Sequence, residues 1–278
     1  MKLSIVVVNW NSTDLMRGLM TSVRETVNVP DFETIAVDNA SADFDESSFK
    51  AQYPEVTVLA QRSNLGYAEG NNIGIRAAKG EYILLLNPDI ALKEGAVEKT
   101  LAYMEKNPKV AAAAAKLVRP DGVTDMSLRS FPYPLGVFFE YTGLAKLFRK
   151  SRFFASYRMR YFDYDEEIEV DQPMASYLML RRSVLDEVGL FDRDFPIFFN
   201  DVDLMWRIKK AGRSVRFLPE AEAVHLGGGS TKRAPRKEMI RESHLSLLRF
   251  YEKHFSRRAY LFARLCVGIT LKLKGIKL

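Results

Sequence analysis

Along the first 120 residues, short apolar runs alternate with longer amphipathic stretches. Leu3–Val8 is a continuous apolar run rich in β-branched residues, the mark of a strand covered on both faces. Asn11-Ser12-Thr13-Asp14 follows with several N-cap residues and opens a helix carrying Leu15, Leu19 and Val23 on one face. Glu33–Asp38 and Val56–Ala60 read as the second and third strands. Tyr67–Lys79 reads as a helix closed by a C-cap at Gly80, and Tyr82–Leu86 as a fourth strand ending at Asn87-Pro88-Asp89. Glu94–Lys106 is a further helix and Val110–Val118 a further strand. This rhythm predicts an α/β domain around a mixed, largely parallel sheet. Such sheets bind ligands beyond the carboxyl ends of their strands, where Asn9, Asp38, Asn64 and Asp89 all fall.

The second half is less regular. Pro132–Asp165 is rich in aromatic and basic residues and reads as a loop with a short helix. Leu178–Leu180 reads as a strand and Ser183–Val188 as a helix stopped by Gly189. Phe195–Phe199 runs into Asn200-Asp201-Val202-Asp203, which opens a helix reaching Ala211. Ser214–Leu218 and Ala221–His225 read as two short strands around Pro219, and Gly227-Gly228-Gly229 as a flexible loop. Arg236–His254 is a charged helix, so the pattern divides into a main domain over 1–235 and a C-terminal helical extension over 236–278. No internal repeat is present.

Composition narrows the classes. A chain of 278 residues with 47% hydrophobic and 27% charged residues is an ordinary globular protein, long enough to bury a sizeable core. One cysteine, Cys266, excludes an internal disulfide or a cysteine zinc site and favours a reducing compartment. The segment after Lys2 does not read as a signal peptide, and no apolar run is long enough to span a bilayer, so the expected location is cytoplasmic. The net charge of +6 suits phosphate-bearing ligands, nucleic acid or anionic membrane alike. No Gly-x-Gly-x-x-Gly follows the first strand and no P-loop occurs, which argues against a dinucleotide-dependent dehydrogenase. The basic residues are mixed with acids through most of the chain, which argues against nucleic acid as a partner.

Five ordered segments carry a resemblance: Ser4–Asn11, Val37–Ser41, Asn64–Ala68 with Asn71-Asn72, Leu84–Asp89, and the run from Arg181 to His225. Together they resemble glycosyltransferase family 2, and within it the rhamnosyltransferase-like members. The resemblance implies a GT-A fold and an inverting transfer of a sugar, a deoxyhexose such as rhamnose above all. The donor would be a dTDP- or UDP-linked sugar and the acceptor a glycan or lipid-linked glycan.

It also implies roles for residues. Asp38 matches the aspartate that accepts a hydrogen bond from the donor's pyrimidine; read alone, it is equally a helix-capping aspartate. Asn9, Asn11 and Asn64 match the donor site, although turn-forming asparagines look the same. Asn87-Pro88-Asp89 stands at the DXD position, where Asp89 would bind Mn²⁺ or Mg²⁺ at the diphosphate and neutral Asn87 departs from the acidic pattern. His225, before its glycines, matches a further metal ligand. Asp201 matches the general base, needed because a hydroxyl is a poor nucleophile until deprotonated. Asp203 and Arg207 are secondary candidates, with an (i, i+4) ion pair as their structural reading. Arg129 and Arg233 are further candidates for phosphate contact.

Two rival functions are a catalytically inactive glycan- or nucleotide-sugar-binding relative and a sugar nucleotidyltransferase. The presence of Asp201 weighs against the first, and the lack of a basic glycine-rich loop after the first strand against the second. After Glu252 every charged residue is basic, with leucines, isoleucines and aromatics between. That tail suits either an interfacial helix on an anionic membrane or a helix packed on the domain with a solvated basic face.

Overall fold

A computed structural model describes residues 1–227 and 235–277. Gly228, Gly229 and Arg233 lie outside the described residues. The main sheet has nine strands. Its left half is parallel, in the order β3 (Val56–Ala60), β2 (Phe32–Asp38), β1 (Leu3–Asn9), β4 (Tyr82–Leu86). β10 (Tyr177–Arg181) then runs antiparallel to both β4 and β6 (Val110–Val118). β11 (Ser214–His225) lies parallel to β6 and antiparallel to β5 (Ile90–Leu92) and β8 (Ile168–Glu169). A separate two-stranded ribbon joins β7 (Leu128–Arg129) to β9 (Gln172–Pro173).

β1 and β4 are buried along their whole length, which is why they appear in the chain as unbroken apolar runs. Alternate residues of β1 feed two cores. Leu3, Ile5 and Val7 meet α1 (Thr13–Thr26), α2 (Glu46–Gln52) and α4 (Ala96–Lys106). Val6 and Val8 face the core shared by α3 (Gly66–Ala77), α7 (Arg182–Val188) and α8 (Asn200–Lys210). The α3 helix lies close on β1 because Gly74 carries no side chain. A Cβ there would stand 2.3 Å from the Val6 side chain.

Several local expectations change. The buried stripe of α1 is Met16, Leu19, Met20 and Val23, with Leu15 only at its edge. The α3 helix ends at Ala77 with Ala78 as its C-cap, so Gly80 is not its cap. Gly80 is required by a backbone crossing instead, since a Cβ would fall 2.4 Å from the Ser4 nitrogen. The two strands expected around Pro219 are one, β11, interrupted by a bulge between Leu218 and Glu222. The 132–165 segment holds two helices, α5 (Pro134–Thr142) and α6 (Leu144–Leu147).

The C-terminal segment forms α9 (Arg236–His254) and α10 (Arg257–Leu273). α9 contributes Leu247, Leu248, Phe250 and Tyr251 to the same core as the sheet, and α10 adds Ala263, Val267 and Leu271. The Tyr251 hydroxyl donates to the Pro132 carbonyl at 2.6 Å. None of the described helices is long and apolar enough to cross a membrane.

Candidate active site

A cavity of about 920 Å³ opens beyond the carboxyl ends of β1 and β4. That volume lies in the range of small-ligand sites. Of the residues singled out in the chain, Asn64, Asn87, Asp89, Arg129, Asp201 and His225 line it. Asn9 and Asp38 lie buried behind this lining. The Asn9 amide donates to Asp38 at 2.9 Å, to Thr13 Oγ1 at 3.1 Å and to Ser41 Oγ at 3.1 Å. The Ser41 N–H closes the turn on the other Asp38 oxygen at 3.0 Å. Asn11, at φ 50°, accepts from the Ala42 N–H at 2.8 Å and so anchors the same turn. Asn39, not foreseen, lines the cavity in their place.

At the end of β4 the backbone turns through Asn87-Pro88-Asp89 into β5. Pairing of β5 with β11 aligns Ile90 with His225 and sets His225 Nε2 3.5 Å from Asp89 Oδ2. The other ring nitrogen, Nδ1, lies 2.7 Å from Asp125. Asp125 reaches this position because the chain after β6 folds back through a bridge between Val118 and Thr124. Hydrogen bonding to Asp125, and then to Asp89, raises the His225 pKa to about 9 against the effect of burial. The same bond holds the Asp125 carboxyl below its ordinary range. Asn87 donates to Ser176 Oγ at 3.0 Å, yet its buried side-chain oxygen has no hydrogen-bond partner among the described residues. The buried Asn39 oxygen is likewise unpartnered. Each of these unmatched acceptors is open to a donor or a cation.

These groups fit a hard divalent cation. Asp89 and His225 are spaced so that both could reach one ion at about 2.0–2.2 Å, and the Asn87 oxygen is an additional neutral donor. The bond from Asp125 to Nδ1 would fix the tautomer that leaves Nε2 free to ligate. Among the described residues no group of three or more His, Cys, Asp and Glu side chains gathers around one point.

Across the cavity, Asp201 stands in the first turn of α8, after Phe199 in the left-handed conformation at φ 67°. Asn200 is consumed locally, donating to the Phe195 and Ile197 carbonyls at 3.3 and 2.8 Å. Asp201 accepts from its neighbour's N–H, Val202, at 2.8 Å and from Gln172 Nε2 at 2.9 Å. In the β7–β9 ribbon Gln172 pairs with Arg129, which brings both to this carboxylate. Burial raises the Asp201 pKa, while Val202 and the Arg129 charge oppose the rise. Tyr67 lines the same cavity; burial, then Asp201 and Asp89, push its hydroxyl pKa up.

Asp203 and Arg207 do not line the cavity. Asp203 is wholly buried, bonded to Arg207 Nε at 2.8 Å, His254 Nε2 at 2.7 Å and Lys253 Nζ at 2.7 Å. Arg207 also donates to the carbonyls of Val188, Gly189 and Leu190. Two positions along a helix turn the side chain by about 200°, so Asp203 faces α9 when Asp201 faces the cavity.

Arg129 makes no salt bridge among the described residues, and Arg158 lines the cavity beside it. Burial and then the Arg129 charge lower the Arg158 pKa. Glu140, 3.4 Å from Arg158, is already held by both terminal nitrogens of Arg160. This side of the cavity therefore carries surplus positive charge.

The sequence model of "Glycosyl transferase family 2" matches residues 4–189. That span contains β1 to β10 and the Asn87-Pro88-Asp89 turn, while Asp201 and β11 with His225 lie beyond it. The chain belongs to glycosyltransferase family 2. It is 25% identical over 266 residues to an N-acetylglucosaminyl-diphospho-decaprenol L-rhamnosyltransferase of Mycobacterium tuberculosis, covering 91% of this chain and 85% of that protein. It is 26% identical over 177 residues to the rhamnosyltransferase WbbL of Escherichia coli, covering 58% and 60% respectively. Among solved structures, the mannosyltransferase PcManGT of Pyrobaculum calidifontis, in complex with GDP-Man and Mn²⁺, superposes with a TM-score of 0.64. It has 15% identity and covers 99% of this chain and 75% of its own. TarS 1-349 of S. aureus in complex with UDP-GlcNAc gives 0.57, at 17% identity, covering 89% and 67%. This family 2 glycosyltransferase thus has the GT-A architecture.

Sequence reasoning missed Gln172, Asp125, Asn39, Tyr67 and Arg158. Tyr67 stood inside a matched segment and Asn39 beside Asp38, so both were legible as neighbours. Gln172, Asp125 and Arg158 lie in segments without periodicity or motif.

Proposed function

We propose that this glycosyltransferase transfers a deoxyhexose such as rhamnose, with inversion, from a dTDP- or UDP-linked donor to a lipid-linked glycan. The reading rests on Asp201, a carboxylate with a raised pKa, facing Asn87, Asp89 and His225 across one cavity. Asp201 takes the proton of the acceptor hydroxyl. The oxygen forms a bond to the anomeric carbon as the bond to the nucleoside diphosphate breaks on the opposite face. A raised pKa makes Asp201 a stronger base than an exposed aspartate while Gln172 fixes its direction. Arg129 and Arg158 meet the negative charge of phosphate. Asp89 and His225, with Asn87, would hold Mn²⁺ or Mg²⁺, which stabilises the charge developing on the leaving diphosphate. Asp38, through its turn with Asn9 and Ser41, shapes the pyrimidine end of the site.

The rhamnosyltransferase names of two relatives support the choice of sugar, and the lipid diphosphate in one of those names supports the acceptor class. An acceptor of that kind sits in a membrane, so the enzyme would work attached to its cytoplasmic face. The test is transfer from a panel of dTDP-, UDP- and GDP-sugars to a lipid-diphosphate-linked N-acetylhexosamine, with product stereochemistry read by NMR. Preference for a GDP-sugar would sink the donor assignment, and retention of anomeric configuration would sink the single displacement.

A further inference from the structure

Helix α10 has two apolar faces. Ala263, Val267 and Leu271 are buried against the domain. On the opposite side Leu261, Leu265, Ile269 and Leu273 recur every fourth residue and stand in solvent, Leu265 at 62% and Leu273 at 83% exposure. A water-facing helix surface is ordinarily polar. The stripe does not end with the helix. Phe262 touches Phe138 of α5, with ring centroids 6.1 Å apart, and Phe138 touches Phe139 at 6.0 Å. Phe139 meets Phe153 at 5.2 Å and Phe154 at 4.9 Å, and Phe154 stacks on Phe148 at 4.8 Å. Aromatic contacts therefore run from the tail, through buried Phe139, to the lobe over residues 144–154, where Leu147 is 72% and Phe153 59% exposed. Eight of the 17 large hydrophobic side chains exposed among the described residues lie on these two segments, and Leu135 and Phe138 of α5 between them add two more.

The charge on this surface has one sign. Between Glu140 and Asp163 every charged residue is basic, and the same holds after Glu252. Lys146, Arg149, Lys150 and Arg152 are exposed around the lobe. Arg257, Arg258, Arg264, Lys272, Lys274 and Lys277 are exposed along the tail. None of these ten makes a salt bridge among the described residues.

We propose that the outer face of α10 and the lobe over residues 144–154 together form a docking surface for an anionic lipid bilayer. Apolar side chains enter the acyl boundary while lysines and arginines meet headgroup phosphates. A polyanion such as nucleic acid would use the cations and leave the leucine stripe in water. The same segment continues into Tyr157 and Arg158, which line the cavity. The inference takes its purpose from the membrane-held acceptor proposed above, but its evidence is the surface alone.

The test is sedimentation of the full-length protein with phosphatidylcholine vesicles, with and without phosphatidylglycerol, at low and physiological salt. Deleting the tail is unsuitable, because Ala263, Val267 and Leu271 belong to the core. The variants instead change only exposed residues: Leu265→Ser with Leu273→Ser, Phe148→Ser with Phe153→Ser, and Arg149→Glu with Lys150→Glu. Each pair should weaken binding to the anionic vesicles by roughly tenfold or more, with thermal midpoint and nucleotide binding unchanged. Failure of the unmodified protein to sediment at low salt overturns the proposal. So does loss in the charge pair alone with both apolar pairs unaffected, which would mean binding of any polyanion. A solution dimer that the apolar pairs convert to monomer would also overturn it, as the face would then bind a second copy. Transfer to a water-soluble acceptor analogue is measured in parallel. Vesicle binding without transfer sinks only the enzymatic reading, and transfer without vesicle binding sinks only this one.

Discussion

The Nδ1 of His225 lies 2.7 Å from a carboxylate oxygen of Asp125, 100 residues earlier in the chain. This contact leaves the opposite ring nitrogen facing Asp89. In metal sites such a partner orients the imidazole, and its loss typically weakens metal affinity about 10–100-fold. Asp125→Ala should therefore raise the Mn²⁺ concentration needed for half-maximal protection in a thermal-shift titration by that factor. Donor specificity should be unchanged. An unaltered Mn²⁺ titration would remove Asp125 from the site.

Asp201→Asn should lower turnover by roughly 10²–10⁴-fold while donor binding stays near normal, because only the proton acceptor is lost. Near-normal turnover in the folded variant refutes Asp201 as the base.

The same substitution should stabilise the fold. Burial raises the Asp201 pKa, so the ionised form is disfavoured in the folded state relative to the unfolded chain. That penalty is present at neutral pH and disappears on acidification below the ordinary aspartate range. The thermal midpoint of Asp201→Asn should exceed that of the unmodified protein at pH 7 to 8, and the gap should narrow near about pH 4. A constant gap across that range would separate the stability change from ionisation.

Arg129→Gln should shift the acid limb of the pH–rate profile upward. The guanidinium favours the charged form of Asp201, so its removal raises the pKa of the base and activity requires higher pH. A profile unmoved in position, with only the donor or acceptor KM raised, would restrict Arg129 to phosphate binding.

Asp203→Asn should destabilise the protein without touching chemistry. Burial alone would raise the Asp203 pKa, but hydrogen bonds from His254 and Lys253 and the Arg207 charge hold it at about 2. The depressed value contributes stability that is present above about pH 4 and lost as pH falls toward 2. Removing one charge from this buried cluster should cost about 3 kcal/mol at neutral pH, read by denaturant unfolding. The kcat of the surviving folded fraction should be unchanged; a selective fall in kcat would return Asp203 to the catalytic set.

The sequence by itself determined the layered α/β plan and the family. β1, β2, β4 and β6 are legible because a strand buried on both faces, or nearly so, must be apolar throughout, and that leaves a visible run. Asp89 is legible because it follows such a run at a turn, and Asp201 because it stands at a helix start after an aromatic stretch that forms no strand. Even the separation of Asp203 from Asp201 was available in principle from the 3.6-residue helical period. β7, β8 and β9 span two residues each, too few for any period to show, and they exist only through their partners. Gln172 reaches Asp201 because β9 pairs with β7, and Asp125 reaches His225 because the chain bridges back on Val118. The aromatic lobe after α6 and the basic tail are far apart in the chain, and only the packing of α10 on α5 makes them one surface. Pairwise contacts between distant, aperiodic segments are set by the shape of the assembled core, and no local pattern in the chain records them.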